Sequence, residues 1–151
     1  MSTIITPSLV NQIKLNRTTA IYTNQEITSQ SIQYLANAIK TNTICQKLSL
    51  SHTTIDDKNA TVLFKALYTN QTLEVLDLSF NQITDESLDV LGTLCTQNHT
   101  LRCINLCHNQ ISESAALCMI QCMNVSSAIL INFNNKHIHN NSPIYKHTIS
   151  L

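Results

Sequence analysis

Leu73-Glu74-Val75-Leu76-Asp77-Leu78-Ser79-Phe80-Asn81-Gln82-Ile83 is followed, 28 residues later, by Leu101-Arg102-Cys103-Ile104-Asn105-Leu106-Cys107-His108-Asn109-Gln110-Ile111. Both stretches read LxxLxLxxNxI. A fixed period of this length is the mark of a stacked repeat and outranks any local motif. Sliding the template back by 28 lands on Cys45, Leu48, Leu50, Thr53 and Ile55, with threonine in the asparagine place. A second step back gives Arg17, Ala20, Tyr22, Gln25 and Ile27, of which only Ile27 fits well. A step forward by 27 gives Ala128, Ile131, Phe133, Lys136 and Ile138. The repeats therefore span residues 17–138, with degenerate outer units, as terminal repeats commonly are.

An independent pattern supports the same frame. Each motif is followed by a residue suited to cap a helix: Thr28, Asp56, Thr84 and Ser112. Their side-chain oxygens can accept from the unsatisfied N–H groups of a helix start. Apolar positions then recur at i, i+3, i+4 and i+7, which lie on one helical face. The sets are Ile32, Leu35, Ala36, Ile39; Ala60, Leu63, Phe64, Leu67; Leu88, Leu91, Gly92, Cys95; and Ala116, Met119, Ile120, Met123. Asn42, Asn70 and Asn98 stand before the next motif, inside Asn-x-Thr. Asparagine tolerates the left-handed conformation that often ends a helix, so these residues are expected to stop the helices.

Each unit thus predicts a short strand, a turn and a helix of about three turns. These features resemble leucine-rich repeats, and the long helix, the period and the Asn-x-Thr-Leu opening resemble the ribonuclease-inhibitor type. That type also occurs in NOD-like receptors and some bacterial effectors. The resemblance implies an α/β, right-handed leucine-rich-repeat solenoid, a horseshoe segment of about five repeats. Parallel strands would line its concave side and helices its convex side. One departure is visible. The family usually carries glycine after the capping residue, whereas these places read Ile83-Thr84-Asp85-Glu86-Ser87 and Ile55-Asp56-Asp57-Lys58-Asn59. The turn into the helix is expected to differ there.

The 151 residues suit one domain, with residues 1–16 as an N-terminal cap, 17–138 as repeats and 139–151 as a C-terminal tail. Ser8 to Leu15 reads as a short covering helix, and Ile144 to Leu151 as a short strand. If the last strand stays uncovered, its edge invites self-association. Charged residues make up 12% of the chain, well below the usual ~25%, and the formal net charge is zero. Nucleic acid, which demands clustered Lys and Arg, is not an expected partner. No apolar run of ~18 residues exists to span a membrane. The first residues lack the basic and apolar regions of a secretory signal. Of the six cysteines, Cys45, Cys95, Cys118 and Cys122 fall in helix or core-lining places where other units carry Leu, Val, Ile or Met. Reduced structural thiols and a cytoplasmic setting follow, or delivery into a host cell if the chain is a bacterial effector.

Strand side chains alternate, so the third, fifth and seventh motif positions point to the concave face. That face carries Lys47, Ser49, Ser51; Val75, Asp77, Ser79; Cys103, Asn105, Cys107; and Leu130, Asn132, Asn134. At the eighth position His52, Phe80 and His108 should stack as a ladder on strands about 4.8 Å apart. Cys103 and Cys107, four apart on a strand, stand about 13 Å apart and cannot share one metal ion. No cofactor is expected. The single glycine excludes a phosphate-cradling loop, and no nucleophile motif is present. Asp56-Asp57 and Asp85-Glu86 open helices, where negative charge meets the positive dipole end. The expectation is therefore a protein, not an enzyme, that binds a protein partner on the concave face. Phe80, His52, His108 and Asp77 would be its anchors, with the other residues of that face around them. Alternatives are a regulator of a small GTPase, or a remnant of a NOD-like-receptor-type or effector protein without independent function.

Overall fold

The computed structural model describes residues 20–22, 27–122 and 129–133. Five three-residue strands form one parallel sheet in chain order: β1 (Ala20–Tyr22), β2 (Lys47–Ser49), β3 (Val75–Asp77), β4 (Cys103–Asn105) and β5 (Leu130–Asn132). Between them run α1 (Ser29–Lys40), α2 (Asp57–Leu67), α3 (Leu88–Gln97) and α4 (Glu113–Cys122). This strand–helix alternation is the α/β arrangement of a leucine-rich-repeat-like domain. The proposed cap 1–16 and tail 139–151 lie outside the described residues.

The register follows the period. Leu48 pairs with Leu76, Leu76 with Ile104, and Ile104 with Ile131. The three-residue strands continue as a backbone ladder into the turn. Leu50 N–H donates to Asp77 O, Leu78 N–H to Asn105 O, and Leu106 N–H to Asn132 O, each at 2.8 Å. The first unit differs from the expected frame. Its strand pairs Ile21, not Ala20, with Leu48. The one-residue shift puts an isoleucine in the row that Leu48, Leu76 and Ile104 occupy.

Leu48, Leu76, Ile104 and Ile131 are buried, as are the whole expected inner faces of α1 and α2, Leu88, Leu91 and Cys95 of α3, and Ala116 and Met119 of α4; Gly92 is half-buried, and Met123 lies outside the described residues. Ile32, Leu35, Leu63, Phe64, Leu67 and Leu91 lose essentially all exposure. Burying a side chain of this size contributes about 1.5–3 kcal/mol, so the stripe on each helix fixes which way it faces the sheet. Thr28, Asp56 and Ser112 cap their helices as expected, accepting from Ser31 N–H at 3.2 Å, Asn59 N–H at 2.9 Å and Ala115 N–H at 3.2 Å. Thr84 caps a 3₁₀ turn, Asp85–Ser87, and α3 starts only at Leu88. At the other place expected to differ, residues 55–59, no such turn forms: α2 starts at Asp57 directly after its cap Asp56.

The junction asparagines work differently from the expectation. None is left-handed: the positive-φ residues among those described are His52, Thr54, Phe80 and His108. Asn70 and Asn98 instead end the helices through their side chains. Asn70 Oδ1 accepts from Thr72 N–H at 3.0 Å and Leu73 N–H at 2.7 Å, while Nδ2 donates back to Ile39 O at 2.8 Å. Asn98 repeats this with Thr100, Leu101 and Leu67 O. Both are buried, so these Asn-x-Thr sequences serve the repeat junction rather than the surface. Among the described residues no helix is long and apolar enough to cross a membrane.

Candidate functional site

The sheet face away from the helices carries Lys47, Ser49, Val75, Asp77, Cys103, Asn105, Leu130 and Asn132, all exposed or half-buried. Asn134 lies outside the described residues. Ser79 and Cys107, expected on this face, are buried instead. Ser51 at the same motif position is half-buried, and its hydroxyl shares a 3.0 Å hydrogen bond with that of Ser79.

Polar groups on the face bond sideways, one repeat to the next. Asp77 is the hub. Its Oδ2 accepts from the Ser49 hydroxyl, and its Oδ1 from Asn105 Nδ2 and from Ser79 N–H, all at 3.0 Å. Asn105 Oδ1 accepts from Cys107 N–H at 3.2 Å. The result is a rigid, pre-bonded polar strip. Asp77 is thus a brace within the strip, and the open part of the face consists of its neighbours.

At the end of the strip the rings stack. His52 and Phe80 have centroids 4.2 Å apart and planes 12° apart, and Phe80 and His108 are at 4.1 Å and 15°. The backbone sets this up. His52 N–H donates to Ser79 O at 3.2 Å, and Phe80 N–H to Cys107 O at 2.9 Å. All three residues hold positive φ, between 55° and 58°. A side chain with a Cβ pays about 1–2 kcal/mol for that conformation, and ring stacking returns about 0.5–1.5 kcal/mol per pair. The rings were legible from the period. Their left-handed backbone was not, because no glycine marks it.

Under the ladder lies the asparagine row. Asn81 Oδ1 accepts from Thr53 N–H at 3.1 Å and Ile55 N–H at 2.9 Å, and Nδ2 donates to Leu50 O at 2.8 Å and Leu78 O at 3.0 Å. Asn109 does the same one repeat on, with Ile83 N–H and Leu78 O. Thr53, lacking the amide, donates its hydroxyl to Leu50 O at 2.6 Å.

Sequence reasoning missed the role of the carboxylate that follows a cap residue. Asp85 accepts from Ser112 N–H at 2.7 Å and from the Ser112 hydroxyl at 2.6 Å, so it holds the next repeat's cap. The signal was present: aspartate follows one cap by one residue and precedes the next cap by 27.

Three of the described thiols, Cys95, Cys45 and Cys103, are poorly suited to nucleophilic work. Burial pushes Cys95 up to about 12. It also raises Cys45, despite the bond to Lys47 O, and Cys103, where the Asp77 charge adds to the effect. The thiolate is the reactive form, and raised values suppress it. Cys118, expected in the core, is exposed on α4. It borders a shallow groove of about 450 Å³ between α3 and α4, floored by Leu88, Gly92, Ala115 and Met119.

A family model described as the TMOD/LMOD leucine-rich domain matches residues 7–130. Among solved structures, one titled "Leiomodin-1 Actin-Binding Site 2 (ABS2)" superposes with a TM-score of 0.78 at 23% identity, covering 87% of this chain and 80% of that one. A tropomodulin C-terminal domain of Caenorhabditis elegans gives 0.69 at 18% identity, covering 87% and 83%. No curated protein matches the chain. These findings carry the leucine-rich-repeat type. They return the TMOD/LMOD group, not the ribonuclease-inhibitor-like group that the helix length and junctions resemble.

Proposed function

The chain belongs to the TMOD/LMOD leucine-rich domain family, and from that premise we propose that it is a non-catalytic module that binds a protein partner, actin, on its strand face. The observation that carries this reading is the strip of laterally bonded side chains centred on Asp77. A surface already held in one geometry loses little entropy on docking, which is what pre-organisation contributes to affinity. The choice of actin rests on the fold likeness to the leiomodin-1 actin-binding site 2.

The whole chain, 1–151, is one leucine-rich-repeat domain in this reading, with 1–16 as cap, 17–138 as about five repeats and 139–151 as tail. The repeats wind as a right-handed solenoid with strands on the concave side. Right-handed crossovers are the rule for parallel strands joined by helices. Cysteines held as thiols suit a reducing, cytoplasmic setting.

Co-sedimentation with actin filaments tests the reading. The wild type should pellet with filaments in a saturable manner. Lys47→Glu combined with Val75→Arg, on the open part of the face, should weaken binding about tenfold or more, roughly 1.4 kcal/mol. Absence of co-pelleting would remove actin as the partner, and equal retention of both proteins would remove the strand face.

A further inference from the structure

Gly92 is the chain's single glycine, and nothing in the backbone asks for it. It lies in the interior of α3 without a positive φ, where alanine is the better helix former. It serves no close approach either, since a Cβ there would meet nothing within 4 Å. One period earlier the equivalent place holds Phe64, wholly buried. The space that a side chain of residue 92 would enter is instead part of the groove between α3 and α4.

That groove is more apolar than its residue types suggest. Leu88, Ala115 and Met119 join Gly92 along it. Thr93 and Thr96 stand beside them, but Thr93 Oγ1 donates to Asp89 O at 3.0 Å and Thr96 Oγ1 to Thr93 O at 2.8 Å. With their protons spent on their own helix, neither hydroxyl asks a ligand for an acceptor. Two carboxylates also line the groove. Asp85 is engaged on both oxygens by Ser112. Asp89 is exposed, and among the described residues no hydrogen bond or ion pair holds its carboxylate. Neither helix, nor the turn before α3, carries Lys or Arg. Only the dipole of α3 offsets part of the Asp89 charge.

A shallow, open groove cannot enclose a small molecule. Lying between two helices, it suits the apolar stripe of a third. We propose that the groove between α3 and α4 docks an amphipathic helix of a protein partner, with a large apolar side chain over Gly92 and Met119 and a lysine or arginine on Asp89. Side chains three or four apart share one helical face. Asp89 and Gly92 have that spacing in α3, so a partner helix with an apolar residue and a cation at i and i+4 meets both. The groove lies on the helix side of the domain, away from the strand face, and the proposal goes beyond the strand-face reading without depending on it.

The test uses the full chain and fluorescein-labelled peptides, (Lys-Ala-Ala-Leu)₄, (Glu-Ala-Ala-Leu)₄ and (Lys-Ala-Ala-Ala)₄, followed by fluorescence anisotropy. The first peptide carries both the apolar stripe and the cations, and each of the others lacks one of them. Gly92→Leu fills the groove, and Asp89→Lys reverses its charge at an exposed position. The first peptide should bind the wild type about tenfold tighter than either counterpart, and each variant should lose about tenfold in affinity for it. The bound peptide should also slow the reaction of exposed Cys118, which borders the groove, with a thiol reagent. Equal binding of (Lys-Ala-Ala-Ala)₄ would reduce the site to diffuse charge attraction, and equal binding of (Glu-Ala-Ala-Leu)₄ would remove Asp89 from it. Unchanged binding to a folded Gly92→Leu would place the peptide elsewhere. Each of these results overturns the proposal, and Asp89→Lys, which leaves the core untouched, decides it even if Gly92→Leu misfolds. The strand-face variant, Lys47→Glu with Val75→Arg, should bind the peptide as the wild type does, so loss of filament binding and loss of peptide binding are read separately.

Discussion

Asp57, in the first turn of one helix, grips Thr84, the cap residue of the next repeat: Oδ1 accepts from the Thr84 N–H at 2.9 Å and Oδ2 from its hydroxyl at 2.7 Å. One carboxylate thereby satisfies two donors across a repeat boundary. Asp57→Ala should lower stability by about 2 kcal/mol, since hydrogen bonds to charged groups contribute about 1.5–3 kcal/mol. Asp57→Asn should recover most of it, because the amide can accept from the N–H and donate to the hydroxyl. Urea melts of the three proteins check this, and equal midpoints would show that the clamp is idle.

Asn81 is buried and bonds to two repeats at once, through Thr53, Ile55, Leu50 and Leu78. Asn81→Ala leaves several of these groups without a partner, each costing about 1–3 kcal/mol. The expected loss is about 3 kcal/mol or more. Asn109→Ala, at a half-buried position with fewer such bonds, should lose less. A reversed order in chemical denaturation would refute the ranking.

Gly92 lies inside α3, and a Cβ there would meet nothing within 4 Å. Glycine in a helix interior costs about 0.8–1 kcal/mol relative to alanine. Gly92→Ala should therefore stabilise the protein by about 0.5–1 kcal/mol, read as a higher melting temperature. A lower one would mean that the open space beside α3 is needed by the fold.

Cys95 gives a pH signature. Its thiol moves from 9.0 in the open chain to about 12 when buried, so the folded state holds the proton more tightly. The sign follows: this contribution is complete below pH 9 and is lost as pH rises toward 12. Each pH unit in that window removes about 1.4 kcal/mol, about 2 kcal/mol by pH 10.5. Cys95→Ala should flatten that part of the alkaline decline when melts at pH 8 and 10.5 are compared. At pH 8 a thiol reagent should label exposed Cys118 while sparing Cys95 in the folded protein. Rapid labelling of Cys95 would contradict the burial.

Much of this architecture was legible in one dimension. The 28-residue period placed Leu48, Leu76 and Ile104 in one buried row, and the apolar spacing in each helix chose its inner face. The caps Thr28, Asp56 and Ser112 and the ring ladder could be read the same way, because each repeats a local rule at a fixed distance. The degenerate first unit could not. Without good matches the period allowed Ala20 opposite Leu48, and the strand settled one residue over.

The sequence by itself thus determined a strand, a turn and a helix per repeat, and which side chains of each go inside, because those choices depend on neighbours within a few residues. Only the tertiary structure decided what the polar groups do. Asp57 holds Thr84, Asp77 gathers Ser49 and Asn105, and Ser79 shares a hydrogen bond with Ser51. These partners sit 27 or 28 residues apart in the chain and meet only when the repeats stack, so their pairing is a property of the stack, not of the repeat.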